Sequence, residues 1–367
     1  MDYWFLFGIT TLLLAIHLVL VNLAMVGPLV CVWFKERAQR GDAAADQLGW
    51  KLARHAVMAY LIGMFLGLGL AGLAWLDRQS RFFAGLAAIP QDRVLWGLAE
   101  LGFSLGCLLA YALLWRRAVG IHRGWHHLLA LLASTNLLYH FPPLFLAVSM
   151  LSAVSGPLES LDASGFLRMM IDPEVLARWL HHAIAAIAAT GCYLMLLRVS
   201  GSQPGGSVDE KAVLRPAVVG GRIALAATLL QIPIGLWVLL EVPQTWRDRM
   251  LGGDLVATAY FVGSMLVAFG LLHLLATASL GETSRPKVLA TAFVFFLVVL
   301  FMTATVRYCS NLPRPDKTFQ ITNLKSQTNS KSQKTIPDHQ PRNDQTAGSR
   351  RRLSLTRNSQ LSTLNSP

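Results

Sequence analysis

Between Trp4 and Phe34 the chain carries no Asp, Glu, Lys or Arg. A run of that length exceeds the roughly 20 apolar residues that cross a bilayer as a helix. Seven more charge-poor runs follow, near 52–76, 94–115, 126–153, 175–199, 222–240, 255–280 and 288–306. Their apolar residues are continuous instead of alternating, which excludes a membrane β-barrel. Only 14% of the residues are charged, against about a quarter in a soluble domain. The sequence therefore specifies an all-α, polytopic transmembrane helix bundle of about eight spans. The first span lacks a basic leader and runs straight into "FKERAQR", so no cleavable signal peptide is expected.

Orientation follows from the basic loops. "FKERAQR", "WRRAVGIHR", "DEKAVLRP" and "SRPK" alternate with connections holding fewer Lys and Arg. Placing the basic set in the cytoplasm puts the N-terminus outside and, with eight spans, the C-terminus outside as well. Two regions result, a transmembrane bundle over 1–312 and a tail over 313–367. The tail is polar, basic and almost free of aromatics, the composition of a disordered segment. Its "SRRRLS" is read as solvated, and the net charge of +12 belongs to loops and tail. No nucleic-acid partner is implied.

Cys31, Cys107, Cys192 and Cys309 form neither CxxC nor CxxCH, so covalent haem attachment and thiolate zinc are unsupported. The glycines of "GMFLGLGLAG" lie within a span, where small residues let helices approach closely. Chemistry must then rest on the polar groups inside the spans, since such residues are costly there and face a bundle interior or a site. They are His17, Glu100, His140, His181, His182 and His273, with Asp92 just outside the third span. With the orientation above, His17, Glu100, His140 and His182 fall in one layer, the middle to outer half of the bilayer, and His273 nearer the cytoplasm. His122, His126 and His127 belong to a basic cytoplasmic loop and are read as solvated or interfacial. Imidazoles on several helices at one depth, with few carboxylates and no thiols beside them, fit haem iron held within a bundle. Zinc or di-iron would ask for more carboxylates at helical spacing.

The first five spans resemble subunit I of the cytochrome bd quinol oxidase family. "LLLAIHLVLVNLAMVGPL" resembles its first helix, whose histidine ligates a haem of the oxygen-reducing pair, and the match falls on His17. "DRVLWGLAELGFSLGCLLAYALLWRR" resembles the third helix with its two acidic residues, here Asp92 and Glu100. "ASTNLLYHFPPLFLAVSM" carries the Asn of a Ser-Asn-Leu run at Asn136, with His140 beyond it. In "FLRMMIDPEVLARWLHHAIAAIAATGC", counting back from Thr190-Gly191 places the low-spin haem b histidine on His182. Its partner methionine matches Met265 of "AYFVGSMLVAFGLLHLL". The later half departs from the family. "EVPQTWRDRMLGGD" replaces the long quinol-binding loop, the Gly-Arg-Gln-Pro-Trp signature is absent, the eighth span has no glutamate, and a ninth helix is missing.

The resemblance implies a divergent b-type cytochrome of a respiratory electron-transfer complex in the bacterial cytoplasmic membrane. Electrons would pass from haem b at His182 to a high-spin haem, b or d, near His17. His140 and Asn136 would lie at the cofactors, and Glu100, with Asp92, would carry protons. A second membrane subunit is the implied partner. Loss of the quinol loop leaves either quinol or a c-type cytochrome as electron donor, with oxygen as the acceptor of a working oxidase. The competing reading is a non-catalytic haem b conduit or structural subunit of a larger complex. A haem-free transporter is disfavoured because no inverted repeat or paired broken helix is visible.

Overall fold

The structure, a computed structural model, describes residues 3–77, 80–117, 122–154, 156–197 and 216–310. The basic tail expected from 313 onward, with "SRRRLS", lies outside the described residues, as does most of "DEKAVLRP". Twelve α-helices, one π-helical turn (Arg249–Gly253) and no strand are found among the described residues. Eight spans are long and apolar enough to cross a membrane. They are α1 (Tyr3–Gln39), α2 (Ala43–Leu76), α4 (Gln91–Leu113), the pair α5 (His122–Tyr139) and α6 (Phe141–Ser152), α8 (Pro173–Leu196), α9 (Pro216–Glu241), α11 (Leu255–Ser279) and α12 (Arg285–Ser310). The protein is an all-α, multi-pass membrane bundle, as its apolar runs require.

α1 is the central element and packs on α2, α5, α8 and α12. The turn into α2 is set by Asp42, whose Oδ1 accepts from the Ala45 amide at 3.0 Å while Oδ2 meets the Arg37 guanidinium at 2.8 Å. Burial alone would push the Asp42 carboxyl up, but these donors outweigh it and hold the group below the ordinary carboxylate range. Three short helices connect spans: α3 (Phe82–Ala87), α7 (Ala163–Met170) and α10 (Gln244–Asp248). The first two close over α6 through a cluster of Phe82, Leu86, Val148, Leu151, Phe166 and Met169, and Leu161 N–H donates to Ala88 C=O at 2.8 Å.

Lipid tails are as apolar as leucine, so burial of apolar surface gives helices little reason to associate in a bilayer, and close approach takes its place. α8 and α9 show this most directly. A Cβ on Gly220 would stand 2.4 Å from the Gly191 carbonyl oxygen, and one on Gly191 would stand 2.7 Å from the Ala224 nitrogen. Backbone meets backbone there, and neither position has room for a methyl group. Gly220→Ala is expected to lower stability by about 1–3 kcal/mol, measured as thermal unfolding in detergent. Gly102→Ala, with nothing near its added Cβ, should stay close to wild type.

Candidate functional site

The fourth span is broken where the sequence reads "YHFPP". Pro142 and Pro143 have no N–H, so the carbonyls of Leu138 and Tyr139 lose their i+4 donors, and α5 stops one residue before His140. A free carbonyl at this depth must find another donor. The indole N–H of Trp179 on α8 supplies one to Leu138 at 2.7 Å. The break also turns His140 toward α4. Its Nδ1 hydrogen-bonds Glu100 Oε2, and Asn136, one turn earlier, donates from Nδ2 to Glu100 C=O at 3.0 Å and to Ser104 Oγ at 2.7 Å. Glu100 and Ser104, one turn apart on α4, thus face Asn136 on α5 and His140 just beyond its end.

His17 sits on α1 against the glycine-rich face of α2. Its Nδ1 bonds the Gly63 carbonyl at 2.8 Å, and a Cβ on Gly67 would come within 3.1 Å of its Cε1. A carbonyl can only accept, so Nδ1 carries the proton and Nε2 keeps its lone pair outward, the form a metal-ligating imidazole takes. His182 projects from α8 deep in the bundle, within electrostatic range of His17 and His181, and most of its surface is covered by protein. His181, about 100° around the helix, turns to α9, where Gly235 Cα leaves space beside its ring. Its Nδ1 is buried with no hydrogen-bond partner. Trp179, three residues before His182, links this pair to the broken span. Together they form one layer: His17 with His182, and Glu100 with His140, joined through Trp179 and Leu138.

Other expected residues stand apart. Asp92 lies in the first turn of α4, exposed beside Arg93 at 3.5 Å. It is eight residues, or about 12 Å of helix rise, from Glu100. Met265 is half-buried on α11; its neighbour Ser264 donates to Met302 Sδ on α12 at 3.3 Å. His273 is exposed. His126 corrects the reading of its loop as solvated: it is 2% exposed on α5, stacked on Tyr111 with ring centroids 4.0 Å apart and its Nε2 donating to the Tyr111 carbonyl at 2.8 Å. Nothing in "GWHHLL" signals this, because the run borders a basic loop and its burial comes from Tyr111 and Trp115 around the end of α4.

Several polar residues at depth escaped sequence inspection. Glu174 and Arg178 pair at 2.9 Å, one turn apart near the N-terminal end of α8, and Arg178 lies 5.2 Å from the Trp246 ring centroid. Both are buried although a span boundary drawn at 175 separates them. His55 lies edge-on to Tyr193 with its Nδ1 buried and unpartnered. Lys35, read as part of a basic loop, is 6% exposed and donates to the Trp115 carbonyl at 2.6 Å. No group of three or more His, Cys, Asp or Glu that would hold a bare metal ion occurs among the described residues. The imidazoles at this layer come as one or two on facing helices, the number a haem uses and fewer than zinc or di-iron require.

No protein-family model and no curated protein matches the chain. Its fold is similar to that of a chain in the structure of bd oxidase from Geobacillus thermodenitrificans, with a TM-score of 0.63 and 14% sequence identity over 84% of this chain and 87% of that one. The chain therefore has a bd-oxidase-like fold. At that identity the likeness is one of architecture.

Trp179→Phe tests the bond that joins the two parts of this layer. Leaving the Leu138 carbonyl without its donor should cost about 1–3 kcal/mol, read as a lowered unfolding midpoint. An unchanged midpoint would mean that another donor reaches the carbonyl.

Proposed function

We propose that the protein is a membrane b-type cytochrome of a bacterial respiratory complex, built like the oxygen-reducing subunit of bd-type oxidases. The observation that carries this reading is the pairing of His17 and His182 on facing helices, with the Nε2 of His17 held free by the Nδ1–Gly63 hydrogen bond. The bd-oxidase-like fold supports it. His182 would be an axial ligand of a low-spin haem b, with Met265 as its proposed partner, and His17 the ligand of a high-spin haem, b or d. Bound haem would supply one-electron transfer and, where an axial position stays open, a site for oxygen.

The residues of this chain have separate tasks. The Gly63 carbonyl orients the His17 ring and fixes its tautomer. Gly63 and Gly67 keep α2 close without crowding that ring. Glu100 exchanges a proton with His140 Nδ1 across their hydrogen bond, a short step that suits a reaction consuming protons. Asn136 holds the Glu100 backbone and Ser104, so the carboxylate meets His140 in one geometry. Asp92, two turns outward and solvated, would exchange protons with the outer side as an auxiliary group. A second membrane subunit and a quinol or c-type cytochrome donor complete the proposed complex.

A second reading, a haem b electron conduit without oxygen chemistry, draws on two observations. No acidic residue occurs between Val288 and Val306 on α12, and only α10 and the turn 249–253 join α9 to α11. Both readings predict a haem b spectrum, and carbon monoxide separates them.

In reduced-minus-oxidised spectra of the purified protein, His182→Ala should abolish the low-spin haem b band, with His181→Ala milder. An unchanged spectrum in His182→Ala removes His182 as ligand. Carbon monoxide should bind the reduced wild type and be lost in His17→Ala; a wild type indifferent to carbon monoxide selects the conduit. Glu100→Gln should keep haem content and slow oxygen turnover by roughly 10²-fold or more, with Asp92→Asn nearer wild type. Full turnover in Glu100→Gln would make that residue structural.

A further inference from the structure

At the end of the bundle that the positive-inside rule assigns to the cytoplasm, Asp46, Gln47, Trp50, Lys51, Trp115 and Arg116 line a cavity of about 260 Å³. Two of its lining residues are tryptophans, a residue enriched at membrane interfaces. Trp50 forms its apolar wall. The Arg54 guanidinium lies 4.8 Å and that of Arg116 5.1 Å from the Trp50 ring centroid.

Asp46 is the one carboxylate in the lining, and its Oδ1 already accepts the Trp115 indole N–H at 2.9 Å. Lys35 also acts on Asp46 electrostatically. Among the described residues, neither Arg54 nor Arg116 meets a carboxylate. Arg37 a few residues away, by contrast, is satisfied by Asp42 at 2.8 Å. The cavity floor is also fixed: a Cβ on Gly49 would come within 2.4 Å of the Trp115 ring, so glycine there is what lets that indole seat. The wall is aromatic, Arg116 lines the cavity, and Arg54 stands beside it against Trp50.

We propose that this cavity binds the phosphodiester of an anionic glycerophospholipid from the cytoplasmic leaflet. Guanidinia match phosphate oxygens with paired N–H donors, and those of Arg54 and Arg116 both rest against the Trp50 ring, which holds them beside the cavity. The abundant anion at this depth is lipid phosphate, and a basic pocket between transmembrane helices on that side is where it concentrates. A free phosphate offers the same oxygens without the acyl chains that would lie along α2 and α4. The site does not depend on haem.

The test is native mass spectrometry of the full chain in detergent, titrated with phosphatidylglycerol, phosphatidylcholine or inorganic phosphate. Wild type should retain phosphatidylglycerol in preference to phosphatidylcholine, and a large excess of inorganic phosphate should not displace it. R54Q/R116Q should bind phosphatidylglycerol roughly tenfold to thirtyfold more weakly, R54K/R116K should fall between, and R117Q should match wild type. Both positions are exposed, and the single variants R54Q and R116Q carry the same reading should the double variant fold poorly. Wild-type affinity in the glutamine variants, equal retention of phosphatidylcholine, or displacement by inorganic phosphate would each overturn the proposal.

Discussion

Hydrocarbon offers no hydrogen bonds, so a polar group placed at depth needs a partner on its own or another helix. The break at Pro142 and Pro143 makes that demand sharpest. It releases carbonyls in the middle of a span, and the Trp179 indole crosses from α8 to meet Leu138. The same break brings His140 to Glu100, and Asn136 reaches Glu100 and Ser104 one turn away. A local failure of helix geometry thereby ties three spans together. Without it, His140 would continue up a straight helix and Glu100 would need another partner.

Close approach does the rest of the assembly. Gly63 and Gly67 let α2 lie against the His17 ring, and Gly191 and Gly220 let α8 and α9 touch backbone to backbone. These glycines act by what they lack. Van der Waals contact and a few interhelical hydrogen bonds replace the hydrophobic drive of a soluble core. Large apolar side chains such as Phe65, Leu68, Leu236 and Phe269 can then remain exposed, facing the hydrocarbon.

The two ends of the bundle are dressed differently. At one end, α3 and α7 cover α6 with an apolar cluster, and the Arg178 and Glu174 side chains are enclosed near Trp246. The opposite end gathers Lys35, Trp50, Arg54, Trp115, Arg116 and His126 around the start of α2 and the end of α4. Tryptophan is prominent at both, consistent with indoles that keep an apolar body and a polar N–H at an interface.

Much was legible in the chain alone. Continuous charge-poor runs determined the all-α class and the number of spans, because length and hydropathy depend on composition and not on neighbours. His17, Glu100, His140 and His182 could be singled out as polar residues within spans, since an approximate depth follows from counting along a helix of fixed rise. Partners were not. The Glu100–His140 bond, the Gly63 carbonyl on His17 and the Trp179 clasp each join residues more than 35 positions apart. The sequence marked the prolines that free a carbonyl but held no record of the donor that meets it. Burial at span ends was equally hidden: Lys35 and His126 read as loop residues, yet the packing of α1, α4 and α5 encloses them. Composition determines which segments enter the membrane; only helix packing decides which of their polar groups meet.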